Sequence, residues 1–593
     1  MENNVGRHSL AHVMAQAVCA LFDDVKLAIG PAIENGFYYD FDLPHTITEA
    51  DFPAIEKKMT EIIKKWEPFT CKELSRAEAL AFFAGEPYKE ELINDLPEGE
   101  TITVYHTGEA FADLCRGPHA EHTGELRGWA FKMASVAGAY WRGDETRPML
   151  QRIYAYAFPN KAELKEFIAA REEALKRDHN KLGRSQELFT TVDIIGQGLP
   201  ILLPKGTMVM RTLQRFVEDE EERRGYQQTM TPSFAKRELY KISGHWDHYR
   251  DGMFVMGDPA DFEDPAAEIF SLRPMTCPFQ FQAYLNRTRS YRDLPLRYNE
   301  TSTLFRNEAS GEMHGLIRLR QFTLSEGHIA CRPDQLEEEF AGCLDLAKYM
   351  LKAVGLFEDV RFRFSKWDPN NREKYIGDAE QWESIQDTMR DILNDLGVEY
   401  TEEEGEAAFY GPKLDIQIKN VFGKEDTLIT IQIDFQLAER FGMVYTDADG
   451  QQKFPYVIHR SSVGCYERTL ALLIEKYAGK FPFWLSPCQV GVVPVREEHA
   501  GYADEIAAKL RDAKIRVKVN HSDGTMGNKI KGFRQEMTPY IIIVGEQEIA
   551  DGTISLRERS GKQINGIPLD TFLAACGEMM QSNALELWDG AAE

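Results

Sequence analysis

Two pairs of metal-type ligands recur at one spacing. His8 and His12 stand four residues apart in RHSLAHVMAQAV, which reads as a helix, so their rings share a face. Cys115 and His119 repeat that spacing in DLCRGPH. Taken alone, HxxxH plus CxxxH is a four-ligand metal set, weighed against ordinary core histidines. A second concentration of chemistry is LPLRYNETSTLFRNEASGEMHGLIRLRQFTLSEGHI, from Leu294. Two strand-like runs, one before Arg306 and one from Leu316 to Phe322, flank a polar loop and predict a long antiparallel hairpin. On the second strand the period of two puts Arg318, Arg320 and Phe322 on one face, where guanidinium forks suit phosphate and the ring suits a base. Surface salt bridges are the plainer reading of the same residues. Between Lys509 and Arg534 eight basic residues stand against only Asp512 and Asp523, although the chain as a whole carries −26.

The chain has 593 residues, enough for roughly four domains at about 150 residues each. Its composition is 43% hydrophobic and 28% charged, which fits globular domains and excludes collagen-like or disordered classes. The absence of any apolar run of 18 residues argues against a membrane span, and MENNVGRHSL lacks the pattern of a secretory signal. Nine cysteines without a C-x-x-C pair point to reduced thiols and a cytoplasmic location. The acidic balance counts against a dedicated nucleic-acid protein, but the basic window allows a local interface.

The elements that must position these residues fall into four segments. Residues 1–158 mix short strands (Phe37 to Phe41, Thr101 to Tyr105) with helices. A capping-box pattern at Asn160-Lys-Ala-Glu163 opens a charged helix of some 20 residues, with Leu164, Phe167, Ile168 and Leu175 on one face, which fills a linker over 159–183. A large domain follows over 184–486. From 487 to 593 strands (Gln489 to Val495, Ile515 to Val519, Tyr540 to Val544) alternate with helices, so a small α/β domain with a mainly parallel sheet is predicted.

RNE-x-SG-x-x-HGL-x-R-x-R-x-F, from Arg306, resembles motif 2 of class II aminoacyl-tRNA synthetases in the form found in the threonyl-tRNA synthetases. FVEDEEERRGYQQTMTPSF resembles motif 1, and VGCYERTLALLIE, with Gly464 and Arg468, resembles motif 3. SGHW (Ser243 to Trp246), FYGPKLD (Phe409 to Asp415) and the IHR before motif 3 are further matches, and the resemblance spans nearly the whole chain.

The resemblance implies an α+β architecture. It consists of a class II synthetase core on an antiparallel sheet, an N-terminal α+β editing domain and a C-terminal α/β anticodon-binding domain. It implies ATP-dependent ligation of L-threonine to threonine tRNA by a homodimer, through an adenylate, with Mg2+ accompanying ATP. Arg306 would hold the α-phosphate and the amino-acid carboxylate, Glu308 and Phe322 the adenine, and Arg468 the γ-phosphate end, with Lys413 of FYGPKLD among the catalytic residues. Cys277, His328 and His459 match the family's zinc ligands; their separations of 51 and 131 residues would not reveal them. Met275, Glu326, Tyr410 and Gln432 would line the amino-acid pocket. His8, His12, Cys115 and His119, with Tyr39, Lys89 and Asp113, match the pocket that hydrolyses seryl-tRNA. Lys531, Glu548 and Arg557 match anticodon contacts.

Several positions depart from the family pattern. The usual MNCPGH reads MTCPFQ, Leu324 and Glu326 replace the residues usual before His328, and Ile429 opens what is usually Gly-Thr-x-Gln. Cys465 takes the place of the motif 3 serine, and Met537 that of an expected arginine. The usual N-terminal ubiquitin-like domain is not expected here. A paralogue with a changed substrate, an RNA-binding regulator without catalysis and a zinc hydrolase built on the N-terminal histidines are the rival readings. The first must explain the retained zinc ligands, the second the retained arginines and the third the ATP motifs.

Overall fold

The structure is a computed structural model that describes residues 2–590, in two compact units dividing after Glu173. In the first unit helix α1 (Asn3–Leu21) buries Leu10, Val13, Met14 and Val18, and with them His12. It lies on an antiparallel sheet whose members include β1 (Gly36–Asp42), and is flanked by α2 (Phe52–Lys64). A separate three-stranded antiparallel sheet holds β2 (Phe69–Leu74), β3 (Ile102–Thr107) and β4 (Phe111–Leu114), with α3 (Pro87–Asp95) preceding β3. The first sheet is completed by β5 (Ala130–Tyr140) and β6 (Met149–Phe158), where RIYAYAF buries Ile153, Ala155 and Ala157 at alternate positions.

The charged segment expected to form one helix of some 20 residues forms two, α4 (Lys161–Arg177) and α5 (His179–Ser185). At the start of α4 the Glu163 N–H donates to Asn160 Oδ1 (2.9 Å). Asp178 interrupts the run with φ −49° and ψ 122°, and its carboxylate caps α5 by accepting from the Lys181 N–H (2.9 Å). Leu175, placed on the apolar stripe, is exposed, and Ala174 is the residue of α4 that is buried.

In the second unit α6 (Pro204–Arg223) and α7 (Cys277–Leu285) precede the central hairpin of β7 (Leu296–Phe305) and β8 (Gln321–Cys331). Helix α8 (Leu336–Ala353), strands β9 (Val360–Lys366), β10 (Tyr400–Glu404), β11 (Lys413–Lys419), β12 (Glu425–Asp434) and β13 (Tyr456–Cys465), and helix α9 (Tyr466–Lys476) follow. These strands form an eight-stranded sheet in the order Gln227–Gln228, β7, β8, β13, β12, β11, β9, β10, antiparallel except at its two edge pairs.

A buried ion pair joins α6 to this sheet. Arg460 NH1 donates to Glu221 Oε1 (2.6 Å), which also accepts from Ser462 Oγ, and both charged side chains are almost fully enclosed. A Cβ at Gly327 would lie 2.6 Å from the guanidinium carbon, so glycine leaves the room that Arg460 fills. Replacing Arg460 with methionine strands the Glu221 charge, and denaturant unfolding of the second unit is expected to show a loss of about 3–5 kcal/mol.

The final domain is built from β14 (Val490–Pro494), α10 (Ala500–Asp512), β15 (Val517–Val519), α11 (Met526–Gln535), β16 (Tyr540–Val544), α12 (Glu546–Asp551), β17 (Thr553–Glu558), β18 (Gln563–Pro568) and α13 (Leu569–Gln581). Its sheet, in the order β15, β14, β16, β17, β18, has two parallel and two antiparallel pairings, so the mainly parallel sheet expected is a mixed one. Helices α10 and α13 cover one face through Ile506, Leu510 and Phe572, and α11 covers the other through Ile530 and Phe533.

Candidate active site

Arg306 follows β7 directly, and its N–H donates to the Arg320 carbonyl (2.9 Å), prolonging the ladder by one rung. Strand β8 begins only at Gln321, so Arg318 and Arg320 lie in the loop and share no sheet face with Phe322 as expected. Leu316 and Leu319 are buried beneath that loop, behind Gly315 at φ +51°, which draws the apolar run out of the sheet. Arg318 and Arg320 instead brace Glu308: Arg318 Nε donates to its carboxylate (2.8 Å) and Arg320 to its backbone carbonyl. The Arg306 guanidinium carbon stands 5.1 Å from the Phe322 ring centre, and its buried Nε has no protein partner. At the root of the loop, His179 of α5 accepts the Leu316 N–H at Nε2 (3.2 Å) and donates from Nδ1 to Glu475 (2.7 Å). Beside it Arg468 donates from Nε to the Ile317 carbonyl (3.0 Å) and from NH1 to Thr427 O.

Cys277 opens α7, while His328 of β8 and His459 of β13 are direct cross-strand partners. One ligand atom from each lies within 4.8 Å of the others, and all three residues are buried. Each imidazole has its tautomer set from behind. Gln280 Nε2 donates to Thr229 Oγ1, so its Oε1 accepts from His328 Nδ1 (2.5 Å), leaving His328 Nε2 buried, unprotonated and without a partner. His459 Nε2 donates to Asp434 Oδ2 (2.9 Å), which frees its Nδ1. Burial, then Glu326 and Asp434, push the Cys277 thiol well above its usual range. An orphaned ring nitrogen facing a cysteine and a second imidazole fits a tetrahedral ion with one position open. Gln280 and Asp434 escaped the sequence reading, although Gln280 is one turn after Cys277 in MTCPFQ.

Around this cluster Tyr410 stacks on His459 (4.8 Å between centres) and donates its hydroxyl to Gln432 Oε1. Gln432 is the β12 partner of both His459 and Lys413. Glu326 stands 3.6 Å from His328 Nε2 with Oε2 buried and unpartnered, and burial raises its pKa. Met275 Sδ meets His245 of the SGHW segment. Lys413 donates to Asp415 (2.7 Å).

In the first unit His8, His12, Cys115 and His119 also offer ligand atoms within 4.8 Å of one another. Asp113 is the hub beside them: it accepts from Tyr39 (2.5 Å), pairs with the buried Lys89 and lies 3.7 Å from His12 Nε2. Burial lowers the pKa of all three histidines and pushes the Cys115 thiol up to about 11.

A cleft of about 730 Å³ in the last domain is lined by Lys531, Arg534 and Arg557, with Met526 and Met537. Glu548 is not among its walls; it caps α12 by accepting from the Gly545 N–H (2.8 Å) and Ser555 Oγ (2.7 Å). The basic window does not form one patch. Its α10 and α11 portions cover opposite sheet faces, and Arg516 is spent on the carbonyls of Ser486 (2.8 Å) and Trp484 (2.6 Å).

Residues 261–477 match the tRNA synthetase class II core domain (G, H, P, S and T), 489–579 the anticodon binding domain, and 102–154 the threonyl and alanyl tRNA synthetase second additional domain. The chain is 56% identical over 566 residues to the threonine–tRNA ligase of Clostridium perfringens (strain SM101), covering 95% of this chain and 87% of that one. Identity to the threonine–tRNA ligase of Clostridium botulinum (strain Eklund 17B) is 57% at the same coverage. A solved structure titled as the RNA binding domain of threonyl-tRNA synthetase from Cryptosporidium parvum superposes with a TM-score of 0.63 at 30% identity. That match takes in 68% of this chain and 98% of that one.

Proposed function

The chain belongs to the threonine–tRNA ligase family, and from that premise we propose a division of labour among its residues. The protein ligates L-threonine to threonine tRNA at the expense of ATP and edits mischarged seryl-tRNA. The observation that carries the assignment is the convergence of Cys277, His328 and His459 under a pocket of Glu326, Tyr410, Gln432 and Met275. A zinc ion on those three ligands would offer its open position to the amino and hydroxyl groups of threonine, a handle that valine lacks.

Arg306 grips the ATP α-phosphate and the threonine carboxylate, so that a carboxylate oxygen attacks the α-phosphorus as pyrophosphate leaves. Phe322 and Glu308 hold the adenine, Arg468 the γ-phosphate end, and Lys413 adds positive charge; ATP arrives as its magnesium complex. Catalysis of this kind is positioning and charge stabilisation and needs no acid–base pair. Lys531 and Arg557 of the C-terminal cleft contact anticodon phosphates or bases, and Glu548 joins them from its cap.

Serine lacks only a methyl, worth on the order of 1–3 kcal/mol, so a hydrolytic site is required. His8, His12, Cys115 and His119 bind the 3′ end of seryl-tRNA and position water, and Asp113, Lys89 and Tyr39 complete that pocket. Cys115→Ala is expected to let seryl-tRNA accumulate while threonine charging continues; unchanged mischarging would reject the assignment. Asp434→Asn, with its one oxygen kept on the Gln436 and Leu437 N–H groups, turns an amide NH2 toward His459 and should weaken zinc binding by about 10–100-fold, read by competition with a chromophoric chelator.

The decisive experiment is amino-acid-dependent ATP–pyrophosphate exchange. Strong exchange with threonine, weaker with serine and nearly none with valine, all lost on zinc removal, is the expected result. A homodimer in a reducing, cytoplasmic compartment completes the proposal. It is consistent with nine free cysteines and with no helix among the described residues long and apolar enough to cross a membrane. A monomer in sedimentation at micromolar concentration would reject the dimer.

A further inference from the structure

The amide of Gln280 cannot fix its own direction. It keeps its oxygen on His328 Nδ1 only while its NH2 end is held elsewhere, and a half-turn of the amide would offer His328 a donor instead. Gln280 ends MTCPFQ, where the family's usual sequence ends in histidine. An imidazole reverses its polarity by moving a proton, whereas a glutamine reverses it only by turning over. The group behind Gln280 therefore has to hold the amide one way round.

That hold is a chain of directional hydrogen bonds starting from a buried ion pair. Arg273 NH1 donates to Glu300 Oε1 (2.9 Å), and both side chains are almost fully enclosed. Arg273 also donates from Nε to the Thr303 carbonyl (2.8 Å) and from NH1 to Thr231 Oγ1 (2.6 Å). A guanidinium only donates and a carboxylate only accepts, so the pair has no reversed form. Thr231 passes its own proton to Glu300 Oε2 (2.9 Å). The Thr229 hydroxyl meets Glu300 Oε2 (3.2 Å) and the Asn299 carbonyl (3.1 Å), two acceptors for its single proton. Its lone pair is left for a donor, and Gln280 Nε2 supplies one at 2.7 Å. With the NH2 committed there, Gln280 Oε1 takes the His328 Nδ1 proton and the Nε2 lone pair is left for a metal. Thr229 and Thr231 alternate with Met230, which is 96% exposed, so both hydroxyls turn inward from the segment that continues the edge strand Gln227–Gln228.

We propose that Thr229, oriented by Glu300, is a positioning residue for the zinc centre. It fixes the polarity of Gln280, and through it the one His328 tautomer that can ligate. Metal affinity is thus set from the edge of the sheet, three hydrogen bonds away from the ligand nitrogen. This rests on the zinc reading of Cys277, His328 and His459.

The test reads zinc affinity, by competition with a chromophoric chelator, for the equivalent of zinc that His328→Ala removes. Thr229→Val keeps the shape, takes away the acceptor for the Gln280 NH2 and should weaken that equivalent by about tenfold, and Thr229→Ser should restore it. Excess zinc should return threonine-dependent exchange to Thr229→Val, which it would not do for a collapsed pocket. Direction is tested at Gln280 itself. Gln280→Glu presents an oxygen to His328 whichever way it turns, so adding Thr229→Val there should shift the affinity by less than about twofold. If Thr229→Val does not fold, Thr229→Ala replaces it in both backgrounds. A loss that persists undiminished in Gln280→Glu overturns the proposal. So does an unchanged affinity in Thr229→Val, which would leave the zinc reading standing. If His328→Ala removes no zinc, the zinc reading fails and this proposal with it.

Discussion

Arg306→Ala is expected to lower threonine-dependent ATP–pyrophosphate exchange by about 10²–10³-fold, the cost of removing one preorganised donor aimed at developing charge. The guanidinium lies against Phe322, and its Nε has no protein partner, so no protein hydrogen bond to that nitrogen is lost. Thermal unfolding should therefore move little while exchange collapses. Lysine at this position keeps the charge without the planar fork and should recover only part of the rate. An Arg306→Ala enzyme within tenfold of the parent would remove Arg306 from the α-phosphate.

His328→Ala should abolish threonine activation and reduce bound zinc by one equivalent per chain. Its ring is enclosed between Gln280 and the other two ligands, and its free Nε2 has no protein partner. Removing the ligand leaves a cysteine and one histidine, too few for a firmly held ion. Binding that favours the folded state contributes about 2.7 kcal/mol when the ion is at a hundred times its dissociation constant, so a lower melting temperature in excess zinc should accompany the loss. The informative control is valine: a variant that loses threonine exchange yet gains none with valine has lost the handle rather than widened the pocket. Retained threonine exchange with one zinc fewer would separate selectivity from this cluster.

What the sequence revealed depended on whether the geometry was local. The His8 and His12 pair was legible because a helix brings positions four apart onto one face. The set of Cys277, His328 and His459 was invisible to spacing because His328 and His459 meet through strand register, 131 residues apart, and only the resemblance to a family supplied it as a ligand set. Arg318 and Arg320 were misplaced because an apolar run can bury its leucines under a loop as well as on a sheet. The basic window looked like one patch because a charge count sees neither sheet faces nor the burial of Arg516. Strands β17 and β18 went unread because both are short, Gly566 and Pro568 break the strand pattern of the second, and the hairpin between them is short. Asp178 hid the break between α4 and α5, since a capping aspartate is unremarkable in so charged a segment.

The backbone at Leu316 and Ile317 is held at two points, the Leu316 N–H by His179 and the Ile317 carbonyl by Arg468, while the loop from Asn307 to Glu312 is largely exposed. The loop is thus a cantilever, clamped at its root from outside the hairpin and stiffened along its length by Arg318 and Arg320 on Glu308. The clamp is supplied by α5 and α9, so the root of this loop is fixed from outside the hairpin that bears it.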